Sequence, residues 1–419
     1  ESTEDEYIGR VDWFPDNSLA LQTESRDQQH LKVRKFSIAN STLTTVLEEN
    51  SETWINLHNM MRPLPSGRFL WASERTGFNH IYLFCEGDLL ALTKGEWQVD
   101  SIESVDESGG TIFFTGTKDG HTEKHLYKMS LEGESVEKVT SESGIHNVLI
   151  NVKANLFVDV FNCLSSPPKV VLRSLGNNYE VEVVIHESKD ERIERYQLEP
   201  PEIFGLKLQD GTELSGAIYY PNSDEFKAPY PTLLSVYGGP HVQLVTNSWI
   251  MTASLRAQYL RNKGYLVVVV DSRGSSRRGL QFESPIKNLM GNVEVEDQSF
   301  ALNYLIEEGI ADKERLGVYG WSYGGYMSLM CLAKRPDLFK AAVAGAPVTS
   351  WDGYDTHYTE RYMGMPEENV AGYTKSSVMS YVSEIEGKLL LVHGLVDENV
   401  HFRHTARLIN SLNEAGKDY

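Results

Sequence analysis

The chain is poor in cysteine, short of basic residues relative to acidic ones, and without a long uninterrupted apolar run. Each shortage removes a class of protein. Cys85, Cys163 and Cys331 are scattered, with no C-x-x-C pair among them, which excludes a disulfide-stapled secreted scaffold and a cysteine-rich zinc module. Few and odd-numbered thiols suit a reducing compartment, so a cytoplasmic location is expected, with the three side chains acting as small core residues. The most continuous apolar stretch, 265–270, falls far below the roughly 20 residues needed to span a bilayer, and no membrane segment is expected. Lys and Arg number 39 against 59 Asp and Glu, a formal net charge of −20. That balance argues against nucleic acid or an anionic membrane surface as a partner. No low-complexity tract or signal peptide is visible. The chain opens on Glu1, not Met, so further sequence upstream is expected.

What remains is the composition of a folded protein, 41% hydrophobic and 23% charged, over 419 residues. That length exceeds what one core usually serves, so two domains are expected, and the chain changes style once. Before about residue 195 an apolar strand, a polar turn and a second strand recur. Phe69-Leu70-Trp71-Ala72 leads through Arg75-Thr76-Gly77 to His80-Ile81-Tyr82-Leu83-Phe84, and Ile112-Phe113-Phe114-Thr115 leads through Asp119-Gly120 to His125-Leu126-Tyr127. A weaker copy runs from Leu19-Ala20-Leu21 to His30-Leu31-Lys32-Val33. The marker histidines, His30, His80 and His125, are spaced by 50 and then 45 residues. A period of roughly 40–50 residues with several short strands per unit predicts β-propeller blades. Each histidine stands immediately before an apolar strand, so a structural blade position is expected of them rather than metal binding or catalysis.

After a charged stretch at 187–194 and Pro200-Pro201, apolar runs at 231–237, 265–270, 315–319, 340–346 and 388–393 alternate with helical patterns at 293–308, 323–334 and 402–415. Runs such as Leu266-Val267-Val268-Val269-Val270 suit strands buried on both faces of a parallel sheet. The expected fold class is therefore an α/β hydrolase, a doubly wound and mostly parallel sheet at 196–419, preceded at 1–195 by part of an all-β propeller.

Gly320-Trp321-Ser322-Tyr323-Gly324 is a G-x-S-x-G match, modest alone but set between an apolar strand and a small-residue helix. Such a turn strains the serine backbone and presents Oγ at a helix amino terminus, the arrangement of a nucleophile. Chain order then asks for an acid and afterwards a histidine. Asp397 lies four residues past the strand at 388–393, with Glu398 its nearest competitor. His401 and His404 follow too closely behind the acid to approach it from a separate loop, so the histidine is expected beyond Tyr419. The backbone N–H of Tyr323 and the hydroxyl of Tyr237, in Tyr237-Gly238-Gly239-Pro240, are candidate oxyanion donors. Trp351, Tyr354, Tyr358 and Tyr362 have the spacing of a helical stripe, and both core packing and a pocket for a compact apolar side chain stand open.

Val236-Tyr237-Gly238-Gly239-Pro240, Asp271-Ser272-Arg273-Gly274, Gly320 through Tyr326, Tyr358-Thr359-Glu360-Arg361-Tyr362-Met363 and His393 through Phe402 together resemble the dipeptidyl peptidase IV family, in the prolyl oligopeptidase clan of serine peptidases. The segments 344–362 and 242–245 look most like its cytosolic dipeptidyl peptidase 8 and 9 branch. The resemblance implies that Ser322 is the nucleophile and Asp397 the acid, with Tyr237 and the Tyr323 amide forming the oxyanion hole. It implies that Tyr323, Val348, Trp351, Tyr354, Tyr358 and Val400 line a pocket for a penultimate proline, and that Asn399 contacts the peptide. The implied activity is release of N-terminal dipeptides with proline or alanine second, by a homodimer without metal or cofactor. Two departures bear on this. The family's histidine follows its acid by roughly thirty residues, past Tyr419, and its paired glutamates for the substrate amine lie upstream of Glu1. Glu48-Glu49 and Glu367-Glu368 do not align with that pair, and about half the family's blades are present. The chain is thus expected to be a fragment, nearly inactive alone. The alternatives are an endopeptidase or acylaminoacyl peptidase of the same clan, or a noncatalytic binding homologue.

Overall fold

A computed structural model describes residues 5–133 and 135–419, which divide into two compact units. One holds the chain up to Glu191 with Thr246–Trp249 and Arg277–Gln281; the other holds Arg192–Val245, Ile250–Ser276 and Phe282–Tyr419. The division at Glu191 falls beside the short helix α1 (Arg192–Arg195).

The described residues of the first unit form four antiparallel sheets of four strands, each strand hydrogen-bonded to its sequence neighbour. They are β1 (Glu6–Trp13) to β4 (Thr42–Asn50) through β2 (Leu19–Ser25) and β3 (His30–Ser37); β5 (Arg62–Pro63) to β8 (Asp88–Ala91) through β6 (Phe69–Ser73) and β7 (His80–Cys85); β9 (Val99–Asp106) to β12 (Glu137–Lys138) through β10 (Thr111–Gly116) and β11 (His125–Ser130); and β13 (Ile145–Asn151) to β16 (Val181–Glu187) through β14 (Leu156–Cys163) and β15 (Ser166–Ser174). These are the blades of the expected all-β region. Alternate side chains of a strand point to opposite faces, and here both faces are covered. In β6, Phe69 and Trp71 pack with Phe14, Leu31 and Val33, while Leu70 and Ala72 pack with Ile112, Phe114 and Tyr127. In β10, Phe113 turns the other way to meet Leu126 and Phe157.

The repeated histidine occupies one structural position in two of the three copies. His80 Nδ1 bonds Thr93 Oγ1 at 3.0 Å, and that oxygen accepts the Ile81 N–H at 2.9 Å. His125 does the same with Thr140 and the Leu126 N–H, at 3.1 and 3.1 Å. The second ring nitrogen meets the Gly95 carbonyl in one copy and the Glu123 carboxylate in the other. The weaker copy diverges: His30 is exposed and bonds Asn50 Oδ1 at 2.7 Å. His58, outside the repeat, accepts the Met60 N–H on Nδ1 and donates from Nε2 to the Ala72 carbonyl at 2.6 Å.

In the second unit β17 (Glu202–Lys207), β18 (Glu213–Tyr219), β19 (Tyr230–Ser235), β20 (Leu266–Asp271), β21 (Ala311–Trp321), β22 (Ala341–Gly345) and β23 (Lys388–Val392) form one sheet in the order β17-β18-β20-β19-β21-β22-β23. The β17–β18 and β18–β20 pairs are antiparallel; the rest are parallel. This is the doubly wound, mostly parallel sheet expected, and all six residues of β20 are buried. The antiparallel hairpin of β17 and β18 lies in a stretch from which the apolar runs predicted no strands. Helices α2 (Trp249–Thr252), α3 (Leu255–Arg261), α4 (Leu280–Glu283), α5 (Val293–Glu307), α6 (Tyr323–Lys334), α7 (Thr356–Met363), α8 (Val370–Lys375) and α9 (Arg403–Glu414) complete the described α-helices. No described helix is long and apolar enough to cross a membrane.

Two outcomes test the first unit. His125→Ala is expected to lower its unfolding free energy by about 1–3 kcal/mol, because Thr140 and the Leu126 amide lose a buried partner network; a urea titration reads this, and a metal chelator leaves the wild-type curve unchanged. Burial holds the His58 pKa down at about 4 and lowers that of His80. Their neutral forms therefore favour the fold above the ordinary histidine value of about 6.5, and that stability is lost as pH falls from there towards 4. The urea midpoint is expected to be lower at pH 5 than at pH 7, with a smaller difference in His58→Gln.

Candidate active site

The parallel strands β19, β21, β22 and β23 run the same way, so the residues following them share one edge of the sheet, where sites of such folds lie. Ser322 sits between the last residue of β21 and the first of α6, at φ 59° and ψ −119°. A side chain in that region strains the backbone by about 1–3 kcal/mol, and close packing of backbone maintains it. A Cβ on Gly320 or Gly324 would fall on the carbonyl oxygen of Val236, just past β19. Only glycines let strand, turn and helix approach so closely. Ser322 N–H donates to the Gly345 carbonyl at the end of β22, 2.9 Å away, and the first intrahelical bond of α6 runs from Tyr326 N–H to the Ser322 carbonyl at 3.0 Å. The N–H of Tyr323, at the first helical position, precedes that ladder and has no intrahelical acceptor.

Tyr237 follows β19. Its ring lies beside that of Tyr323, centroids 5.9 Å apart, and a Cβ on Gly239 would press on both rings. The loop beyond is tied down by Asp271, at the end of β20, which accepts the N–H groups of Leu244 at 2.8 Å and Val245 at 2.9 Å. Burial raises the pKa of Tyr237, keeping its hydroxyl protonated and able to donate.

The aromatic residues after β22 join the same cluster. Trp351 packs against Tyr323 at 5.4 Å and Tyr326 at 5.1 Å, and Tyr354 and Tyr358 close on it at 6.0 and 6.1 Å. They do not form one helical stripe. Trp351 opens a single 3-10 turn, Tyr354 is extended, and α7 starts afterwards, with Asp355 capping it by accepting the Tyr358 N–H at 2.8 Å. Trp351 and Tyr362 are buried, whereas Tyr354 and Tyr358 are half-buried; Val348, after β22, and Val400, after β23, are buried.

Asp397 lies in the loop after β23. Its Oδ1 accepts the N–H groups of Asn399 and Val400, both at 3.0 Å, so the loop backbone orients the carboxylate. Asn399 Oδ1 in turn accepts the Tyr354 hydroxyl at 2.8 Å, linking the acid's loop to the aromatic cluster. Glu398 is exposed. The nearby histidines have hydrogen-bond partners of their own. His404, buried, receives the Thr349 N–H on Nδ1 and meets the Gly353 carbonyl through Nε2. His401 Nδ1 accepts the Arg403 N–H, and His393 bridges Thr405 Oγ1 and the Val400 carbonyl, both at 2.7 Å. His393 Nε2 stands 3.6 Å from Asp397 Oδ2.

One participant carried no motif. Glu294, near the start of α5, is fully buried and accepts the Tyr323 hydroxyl at 2.6 Å. An acidic residue at the first turn of an amphipathic helix ordinarily reads as a surface cap, and nothing local marks it as the partner of a tyrosine 29 positions on.

Residues 251–419 match the prolyl oligopeptidase family, and residues 1–168 match the dipeptidyl peptidase IV N-terminal region. Mouse dipeptidyl peptidase 8 is 35% identical over 99% of this chain and 54% of its own length. Dipeptidyl peptidase 4 of Trichophyton equinum is 28% identical over 98% of this chain and 55% of its own. The crystal structure of Porphyromonas gingivalis dipeptidyl peptidase 4 superposes with a TM-score of 0.90 at 30% identity, covering 99% of this chain and 59% of that one. The chain thus spans about half the length of the curated relatives it matches.

The turn at Ser322 yields a stability test. Gly324→Ala is expected to cost about 1–3 kcal/mol through overpacking against Val236. Ser322→Gly, which removes the strained side chain, should gain about 1 kcal/mol after the entropy of the added glycine. Urea unfolding of the second unit's transition measures both. With its two matched regions, its blades and its sheet in place, the chain belongs to the dipeptidyl peptidase IV family of the prolyl oligopeptidase clan of serine peptidases.

Proposed function

We propose that the complete protein is a serine exopeptidase that releases N-terminal dipeptides with proline, or less readily alanine, in second position. The observation that carries this reading is the join between nucleophile and pocket: Tyr323 follows Ser322 directly, and its ring continues into Tyr237, Trp351, Tyr354 and Tyr358. A flat, compact pyrrolidine suits such a wall of rings, with Val348 and Val400 at its margins. In this mechanism Ser322 Oγ attacks the carbonyl carbon of the second residue as its proton passes to an imidazole. The oxyanion forms against the Tyr323 N–H and the Tyr237 hydroxyl, each donor worth about 3–4 kcal/mol. The C–N bond then breaks as the imidazole protonates the leaving amine. Water hydrolyses the dipeptidyl ester by the reverse proton path. Asp397 orients the imidazole through Oδ2, Oδ1 being held by backbone, and Asn399 contacts the peptide.

His393, His401 and His404 are tied to other partners, so on this reading none of them is that imidazole. The 419 residues by themselves are then nearly inactive, since loss of a central triad member costs on the order of 10⁶-fold in turnover. Recognition of the free amine is likewise not assigned to Glu48-Glu49 or Glu367-Glu368. Glu49 is bonded to Trp71, Ser73 and Arg75, and the other pair is exposed loop charge. Homodimer formation, a cytoplasmic location and independence of metal or cofactor belong to the same reading.

The test uses protein expressed from the complete coding sequence. Gly-Pro-p-nitroanilide should be hydrolysed and its N-acetyl form resisted, and Ser322→Ala should lose turnover by about 10⁶-fold together with fluorophosphonate labelling. Equal cleavage of the blocked substrate would point to the endopeptidase or acylaminoacyl reading, and absence of any adduct at Ser322 to a binding homologue. Robust turnover by the 419-residue chain alone would make His401 or His404 the base.

A further inference from the structure

The carboxyl group of Glu294 is fully buried, yet among the described residues no cationic side chain touches it. Its Oε2 accepts the Asn292 N–H at 3.0 Å, and its Oε1 accepts both the Gly291 N–H at 2.9 Å and the Tyr323 hydroxyl at 2.6 Å. Lys334 stands one group removed, bonding the Gly291 carbonyl and Asn292 Oδ1. A charged side chain taken out of water is costly unless its hydrogen bonds are met, and a simple helix cap would meet them at the surface. Here two are met by backbone at the start of α5, where the helix field favours negative charge. The third comes from the residue that follows the nucleophile.

Tyr326, one turn on, reaches the same place: its hydroxyl lies 3.1 Å from the Met290 carbonyl and 2.7 Å from the Ser376 carbonyl. Both tyrosines of the first turn of α6 are therefore anchored, at their far ends, on or beside the segment 290–294. For Tyr323 this matters twice. Its ring is a wall of the pocket between Tyr237 and Trp351, and its backbone N–H is the oxyanion donor. A ring held only by stacking could tilt; a hydrogen bond from its hydroxyl to a buried carboxyl that backbone amides hold in place fixes both.

We propose that Glu294 is a positioning residue for peptide hydrolysis: acting through the Tyr323 hydroxyl, it fixes the oxyanion amide and the wall that discriminates proline from other second residues. This rests on the reading of Tyr323 given above. Displacement of reacting groups by about 1 Å costs roughly 100-fold, which sets the scale expected of the variants.

The experiment compares Gly-Pro and Gly-Ala p-nitroanilides with the protein from the complete coding sequence. Glu294→Ala is expected to lower kcat/KM on Gly-Pro by about 100-fold, chiefly through kcat, and to shrink the Pro-to-Ala preference by about tenfold. Tyr323→Phe, which keeps the ring and removes only the bond, should move both in the same direction. The double variant should be no worse than the poorer single one, because both changes break one link. Glu294→Gln, still an acceptor, should recover most of the preference. Additive losses, or a Pro-to-Ala ratio unchanged in Tyr323→Phe, would overturn the proposal and leave Glu294 as a cap of α5. If Glu294→Ala does not fold, judged by its thermal transition, Tyr323→Phe and Glu294→Gln decide alone. Failure of the wild-type protein to cleave Gly-Pro would instead sink the assignment of function, not this link.

Discussion

At the carbonyl of Val236 the backbone of β19's end meets Gly320 and Gly324 with no room for a side chain on either. The strand β21 must pass into α6 within that space, and the turn closes only if Ser322 takes a positive φ. The bond from Ser322 N–H to the Gly345 carbonyl, and that from Ala346 N–H to the Val392 carbonyl at 2.7 Å, carry the same constraint outwards to β22 and β23. The remaining site geometry depends on this crowding. It places the first N–H of α6 beside the serine, turns the Tyr323 ring towards Tyr237 and Trp351, and brings the loops after four strands to one edge.

Around that turn the site is apolar in bulk and polar at a few chosen atoms. Burial raises the pKa values of Tyr237, Tyr323 and Tyr358, so the phenols remain donors. Three hydroxyls have defined partners: that of Tyr354 on Asn399, that of Tyr323 on Glu294 and that of Tyr326 on main-chain carbonyls. Asp397 is oriented by amides of its own loop, so its short carboxylate is held without a long supporting side chain. Of the histidines near it in the chain, His401 and His404 bond backbone groups, and His393 bonds the Thr405 hydroxyl and the Val400 carbonyl.

The first unit solves a different problem, the stacking of sheets that are apolar on both faces. Period-two alternation sends Phe69 and Trp71 one way and Leu70 and Ala72 the other, so each blade's core depends on its neighbours. The His–Thr pairs at the start of β7 and β11 satisfy polar groups that such packing buries. Where the position is exposed, at His30, the pair is absent and the histidine bonds an asparagine instead.

Much of this was determined by sequence alone, because it follows from local rules. Alternation marked the strands of the blades, the continuous run at Leu266 to Val270 marked a strand buried on both faces, and the glycines flanking Ser322 announced a strand–turn–helix junction whose helix forms over 323–334 as its spacing predicts. The tertiary structure decided what local rules leave degenerate. The antiparallel pairing of β17 with β18 is not specified by their short apolar runs, Ile203-Phe204 and Ala217-Ile218-Tyr219-Tyr220. The break at Tyr354 that divides the aromatic spacing into a turn and a helix is set by what Trp351 and Asp355 contact, not by their periodicity. The fates of His393, His401 and His404, and the pairing of Glu294 with Tyr323, depend on which donors and acceptors the folded chain brings within 3 Å or so. A hydrogen-bonding side chain has many possible partners in a sequence, and packing selects among them only when burial removes water as the alternative.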